Sequence, residues 1–153
     1  MTLYHYTCLE HLRQILADGI IKTTHSNLLR PVNPRFINGV FADPETDSYK
    51  PVVWLTSTLD FSAGEGNGLT GSVYDKTECA IAIEVMFYHH FRKWDEWTKE
   101  NKADKEWIAR LKATAPNWRS WYISEKPIVM DSATNIIFRS DILAELKEQD
   151  EAT

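Results

Sequence analysis

Cysteine is scarce in this chain. Cys8 and Cys79 are the only two, far apart and outside any C-x-x-C or C-x-x-H spacing, which excludes a disulfide framework and a cysteine-based zinc site. Positive charge is not in excess either: 17 Lys and Arg face 22 Asp and Glu, for a formal net charge of -5. The sign is wrong for holding nucleic acid by bulk electrostatics, so any such contact needs a local basic patch. No apolar run approaches the roughly 18 residues of a membrane span. No basic segment followed by an apolar stretch opens the chain in the manner of a signal peptide. A cytoplasmic protein with no membrane partner is expected. The glycine-rich stretch "SAGEGNGLTGS" lacks the G-x-G-x-x-G fingerprint in a strand-turn-helix context, so it is not a phosphate-binding signature. There is no internal repeat. What is present is 153 residues, the size of one domain over 1–153, with six tryptophans, six tyrosines and six phenylalanines. That aromatic load suits a stacking site and an ordinary core alike.

Thr2 to Tyr6 alternates and predicts a short strand, and "TCLEHLRQILADG" predicts a helix after it. Thr7 and Glu10 match the T-x-x-E capping box, Leu9, Leu12, Ile15 and Leu16 make one apolar face, and Gly19 supplies a left-handed stop. "IIKTTH" predicts a second strand. The next stretch, "SNLLRPVNPRFINGVFADPETDSYKP", carries four prolines and is too irregular for one regular element. "VVWLTST" (52–58) and "CAIAIEVMF" (79–87) predict buried strands, the second with Ile81, Ile83, Val85 and Phe87 on one face and Ala80, Ala82 and Glu84 on the other. From His89 to Ala115 the spacing of Phe91, Trp94 and Trp97, then of Trp107, Ile108 and Leu111, predicts helices. "WYISEKPIVM" and "NIIF" return to strand, joined by "DSAT" as a hairpin turn, and Ser140 caps a last helix, "DILAELKEQ". The sum is an α+β domain with a helical insertion at about 89–115.

Three of these strands carry polar residues in aromatic settings: "YHYT" with His5, "VWLTST" with Trp54, Thr56 and Ser57, and "WYISEKP" with Ser124 and Glu125. This order, with "HYT" leading into "LEHLRQILADGII", resembles the ADP-ribosyltransferase superfamily of the His-Tyr-Glu type. The likeness is to small bacterial and phage proteins related to DNA-targeting ADP-ribosyltransferase toxins. The resemblance spans most of the chain but rests on three short motifs. It implies a split β-sheet core flanked by helices, with NAD bound as substrate in the cleft.

Cleaving the bond between nicotinamide and ribose passes through an oxocarbenium-like state, which a nearby carboxylate stabilises. The resemblance gives that part to Glu125, which would also hydrogen-bond a ribose hydroxyl and activate the incoming nucleophile. His5 would bind the adenosine-side ribose, with Tyr6 and Thr7 beside it. Trp54 stands where the family has tyrosine and would stack on nicotinamide, while Thr56 or Ser57 anchors the amide or ribose. The acceptor would be a macromolecule, nucleic acid or protein, with an antitoxin or host-defence protein as a further partner.

Each residue also has a plainer role. His5 suits a strand-end histidine bonded to backbone, Thr7 a helix cap, Trp54 a core residue and Glu125 a solvent-facing one. Glu84 is the rival carboxylate, standing among small residues where an acid needs a reason. The pair His89-His90 lacks partners at metal-ligand spacing. The row Phe91, Trp94, Trp97 suits core before a base-stacking platform. Lys22, Arg30 and Arg35 form the best basic stretch for a nucleic-acid or phosphate contact. Two other functions stay open. One is a catalytically degenerate module that binds a nucleotide or a partner. The other is an RNA 2′-phosphotransferase, whose family places an arginine directly before the first histidine where this chain has Tyr4.

Overall fold

The computed structural model describes residues 1–24, 35–37, 40–42, 51–61, 75–101, 105–115 and 117–152. Its elements in chain order begin with β1 (Thr2–Thr7), α1 (Leu9–Asp18), β2 (Ile20–Ile21), β3 (Arg35–Ile37), β4 (Val40–Ala42) and β5 (Val53–Thr56). There follow β6 (Cys79–Glu84), β7 (Phe91–Lys93), α2 (Trp94–Glu100), α3 (Lys105–Thr114), β8 (Trp121–Ser124), β9 (Ile128–Val129), β10 (Thr134–Phe138) and α4 (Ser140–Ala152). Six strands form one antiparallel sheet in the order β10-β6-β1-β5-β8-β7, and β2-β9 and β3-β4 are separate ribbons. The domain is therefore mixed α+β, with helices on both faces of the sheet. No helix among the described residues is long and apolar enough to cross a membrane.

Alternation of side chains gives the sheet two cores. Leu3, Val53, Leu55, Ile81 and Ile83 point to one face and bury Leu12 and Ile15 of α1. Val52, Trp121 and Ile123 point to the other and pack with Trp94, Trp97, Leu111 and Ala115 from the α2-α3 side. Trp94 and Trp97 are fully buried, so the aromatic row of the helical region is core. Each such ring removes about 150–250 Å² from water, which makes this the heavier of the two clusters per residue.

Several local expectations are corrected. The Thr7–Glu10 capping box does not form, because the β1-β6 ladder runs through Thr7↔Cys79 and holds Thr7 as the last strand residue. The cap is Cys8, whose Sγ accepts the His11 N–H at 3.4 Å. Gly19 does end α1, with φ 73° and its N–H on the Ile15 carbonyl at 2.8 Å. Leu16 is exposed, because α1 buries a narrower face than its apolar positions suggest.

The helical insertion starts at Trp94 rather than near 89. His89 closes a turn onto the Met86 carbonyl, and Phe91–Lys93 pair with β8 to fill its outer edge. The strand "CAIAIEVMF" ends at Glu84, and Phe87 beyond it is 94% exposed. "IIKTTH" contributes only Ile20–Ile21 and an isolated bridge at Thr24. The hairpin across "DSAT" is absent: β9 pairs with β2 and β10 with β6, so Asp131 turns the chain from one sheet into another. Its Oδ1 takes the Ala133 N–H and its carbonyl the Thr134 hydroxyl. The last helix runs to Ala152, three residues past the expected Gln149.

Candidate functional site

The large sheet is held unevenly. β1 and β6 share six residue pairs, β6 and β10 five, and β5 and β8 four, yet β1 and β5 share one, Tyr4↔Thr56. Two three-stranded halves thus meet at a single pair and part on the side of Thr7 and Val53. Along that edge the backbone of β5 finds other partners. The Trp54 carbonyl takes the His5 Nδ1 at 2.8 Å, and Val52 exchanges two hydrogen bonds with Thr24, at 3.1 and 3.2 Å. An imidazole stands where a neighbouring strand's N–H would otherwise be.

A carbonyl only accepts, so Nδ1 carries the proton and Nε2 presents a lone pair. Among the described residues nothing donates to that Nε2. Burial pushes the His5 imidazole down to about 4; the Trp54 carbonyl opposes this, and Lys76 and His11 add to it. The ring is therefore neutral near pH 7, an acceptor rather than a cation. The bond to backbone is made, as the plainer reading of His5 required, and it uses one of the two nitrogens.

Tyr4, Tyr6, Trp54 and Thr56 occupy the opposite face from His5 by strand alternation. Tyr6 Oη donates to the Thr58 carbonyl at 3.2 Å and accepts the Asp60 N–H at 2.6 Å, while its ring meets Phe61 edge-on. It fastens the segment that follows β5. Beneath lie three hydroxyls. Thr56 Oγ1 is 3.0 Å from Ser120 Oγ and 3.2 Å from Thr58 Oγ1, and Ser120 donates to the Asn117 carbonyl at 2.7 Å. With its one proton spent there, Ser120 accepts from Thr56. Ser57 is exposed and its N–H binds the Ser120 carbonyl at 2.9 Å. Trp54 is half-buried, with its ring 5.9 Å from Trp121 and 6.4 Å from Trp94 between centroids. Thr7 is 2% exposed.

Glu125 follows Ser124, the partner of Val53, and so stands at the end where β1 and β5 part. It is exposed, and its Oε1 accepts the Trp97 indole N–H at 2.8 Å. Arg92, ion-paired with Glu100, is within electrostatic reach of it. Glu125 lies four residue steps past Trp121, the partner of Thr56, about 13 Å at strand rise. His5 and Trp54 are thus joined at the split, Tyr6 and Thr56 meet through Thr58, and Glu125 stands one strand beyond β5, bonded to Trp97 of the cluster on the face opposite His5. Compared with protein-family models, curated proteins and solved structures, the chain matches none.

The rival carboxylate has its reason. Glu84 pairs with Thr2, accepts its hydroxyl at 2.8 Å and is thereby held below the usual carboxylate range, with the terminal amine at 3.4 Å adding to this. His89 Nδ1 accepts the Met86 N–H at 2.9 Å and its ring stacks on Phe91, while His90 is exposed. No group of three or more metal-ligating side chains occurs among the described residues. Both cysteines are free and buried, and burial pushes the Cys79 thiol up to about 12, too high for a nucleophile. Lys22 pairs with Asp18 at 3.2 Å. Arg30, the side chain of Arg35 and the glycine-rich stretch 64–71 lie outside the described residues. Ser120, Trp97 and Arg92 have no motif of their own; only the pairing of β7, β8 and α2 brings them near the candidate residues.

Proposed function

We propose that this chain is an ADP-ribosyltransferase-like enzyme that cleaves NAD and transfers its ADP-ribose to a macromolecular acceptor, nucleic acid or protein. The observation that carries this reading is the parting of β1 from β5 at His5. A neutral imidazole is fixed there through Nδ1 with Nε2 open, and Glu125 follows β8 at the end of the sheet toward which the two strands part. That arrangement supports a split-sheet core of the ADP-ribosyltransferase type.

In this reading His5 Nε2 accepts a ribose hydroxyl proton. Thr56, paired with Tyr4, marks the closed end of the opening. The half-buried Trp54 offers its exposed edge to the nicotinamide side. The C–N bond breaks with its electron pair going to nicotinamide, which leaves neutral. Glu125 offsets the positive charge that develops on the ribose. The acceptor's lone pair then forms the new bond to the anomeric carbon, and its proton passes to the Glu125 carboxylate.

The deciding experiment measures nicotinamide released from NAD by the full chain. Glu125→Gln should lower the rate by two orders of magnitude or more, at roughly the scale of a lost general base plus charge stabilisation, and leave NAD binding within about threefold. Normal turnover by Glu125→Gln would sink the assignment. A second reading, a binding module without catalysis, is favoured by one observation. The Trp54 ring sits in the tryptophan cluster on the face opposite His5. Such a module would be stabilised in thermal melts by NAD or ADP-ribose and release no nicotinamide.

A further inference from the structure

The candidate carboxylate is held by a residue of the buried aromatic row, outside the three motifs. Trp97 is fully buried in the core between the sheet and α2-α3, yet its indole N–H reaches out of that core to Glu125 Oε1 at 2.8 Å. An indole has one donor and no acceptor, and a ring locked by packing on all sides cannot re-aim it. A charged acceptor makes such a bond shorter and stronger than a neutral one. Glu125 itself is the exposed residue directly after β8, just before Lys126 and Pro127, and strand pairing no longer fixes it. α2 reaches its carboxylate through Trp97. α2 is in turn anchored by Asp95, whose carboxylate binds Lys112 of α3 at 2.8 Å.

We infer that Trp97 is a positioning residue: its indole N–H fixes the Glu125 carboxylate just past the end of β8, so that the core built by α2 sets the geometry of the reacting group. This rests on the proposed NAD-cleaving function. It makes the helical region part of the chemistry rather than an ornament beside it, because a shift of α2 moves Glu125.

The test compares the full chain with Trp97→Phe, Glu125→Gln and the double variant. The readouts are kcat and KM for nicotinamide release and the ¹⁵N-indole resonance of Trp97. Trp97→Phe should lower kcat on the order of tenfold, the scale of a small misplacement of a catalytic group, with KM for NAD within twofold. In the Glu125→Gln background the same change should have no further effect. The Trp97 indole resonance should move in Glu125→Gln. Equal losses from Trp97→Phe in both backgrounds, or a wild-type kcat, overturn the positioning role while leaving the NAD reading in place. Absence of nicotinamide release from the wild-type chain overturns the NAD reading, and an unmoved indole resonance then overturns the contact as well. Should Trp97→Phe fail to fold, site-specific replacement of Trp97 by 3-benzothienylalanine keeps the ring volume, removes only the N–H, and is judged by the same kcat criterion.

Discussion

Replacing His5 by glutamine should make the protein more resistant to acid. In the folded chain the imidazole is held near 4, while in the unfolded chain it titrates at 6.5. Between those values the unfolded state binds a proton that the folded state refuses. Stability is therefore complete above pH 6.5 and falls as the pH drops toward 4. At about 1.36 kcal/mol for each pH unit, the full loss is about 3 kcal/mol, most of it reached by pH 4.5. Glutamine keeps a donor for the Trp54 carbonyl but does not titrate. Urea unfolding of both proteins at pH 7 and pH 4.5 isolates the term, because every other titrating group is common to the pair. The wild type should lose about 2–3 kcal/mol more than His5→Gln, equivalent to about 5–10 °C in Tm for a domain of this size. Parallel losses, within about 0.5 kcal/mol, would refute both the buried neutral imidazole and the tautomer argued from it.

His5→Ala removes the donor to the Trp54 carbonyl, a cost of about 0.5–1.5 kcal/mol at pH 7 measurable in the same urea series. Gly19→Ala meets no steric obstacle but must adopt φ 73°, so it should cost about 1 kcal/mol by chemical denaturation. Trp94→Ala should cost about 3–5 kcal/mol, the range for deleting a fully buried aromatic ring. Asp75 is held down at about 2, first by the Thr77 hydroxyl at 2.5 Å and then, against burial, by the Thr77 N–H and Arg139. Thr77→Val should therefore raise the Asp75 titration toward the ordinary carboxylate value in a carbon-detected NMR titration, and an unchanged midpoint would assign the effect to Arg139.

Local pattern told most where local physics decides. The alternation of β1, β5 and β6, the 3.6-residue face of α1 through Leu12 and Ile15, and the glycine stop at Gly19 were all legible in the sequence. The Cys8 cap was not, because a sulfur ranks below the Thr7 hydroxyl as a capping group, and only the length of the β1-β6 ladder removes Thr7 from contention. β7 escaped notice because three residues carry too little periodicity to outweigh the helical spacing of Phe91, Trp94 and Trp97. The pairing of β9 with β2 depends on segments more than a hundred residues apart, which no turn signal at Asp131 encodes. Of the candidate site, the residues His5, Trp54 and Glu125 were legible as residues. Their surroundings depend on a side chain, His5, substituting for backbone, and on the Trp97–Glu125 contact between remote elements.

The Trp54 carbonyl has a further meaning when viewed as an edge. A strand that loses its neighbour in the middle of a sheet offers the same unpaired groups as an outer strand, and such groups recruit foreign chains into fibres and swapped dimers. Here the imidazole and Thr24 cover that short stretch of β5 with groups too irregular to extend into a ladder. The protein keeps a gap between two strands without advertising it, and the histidine that would greet a ribose also keeps out a seventh strand.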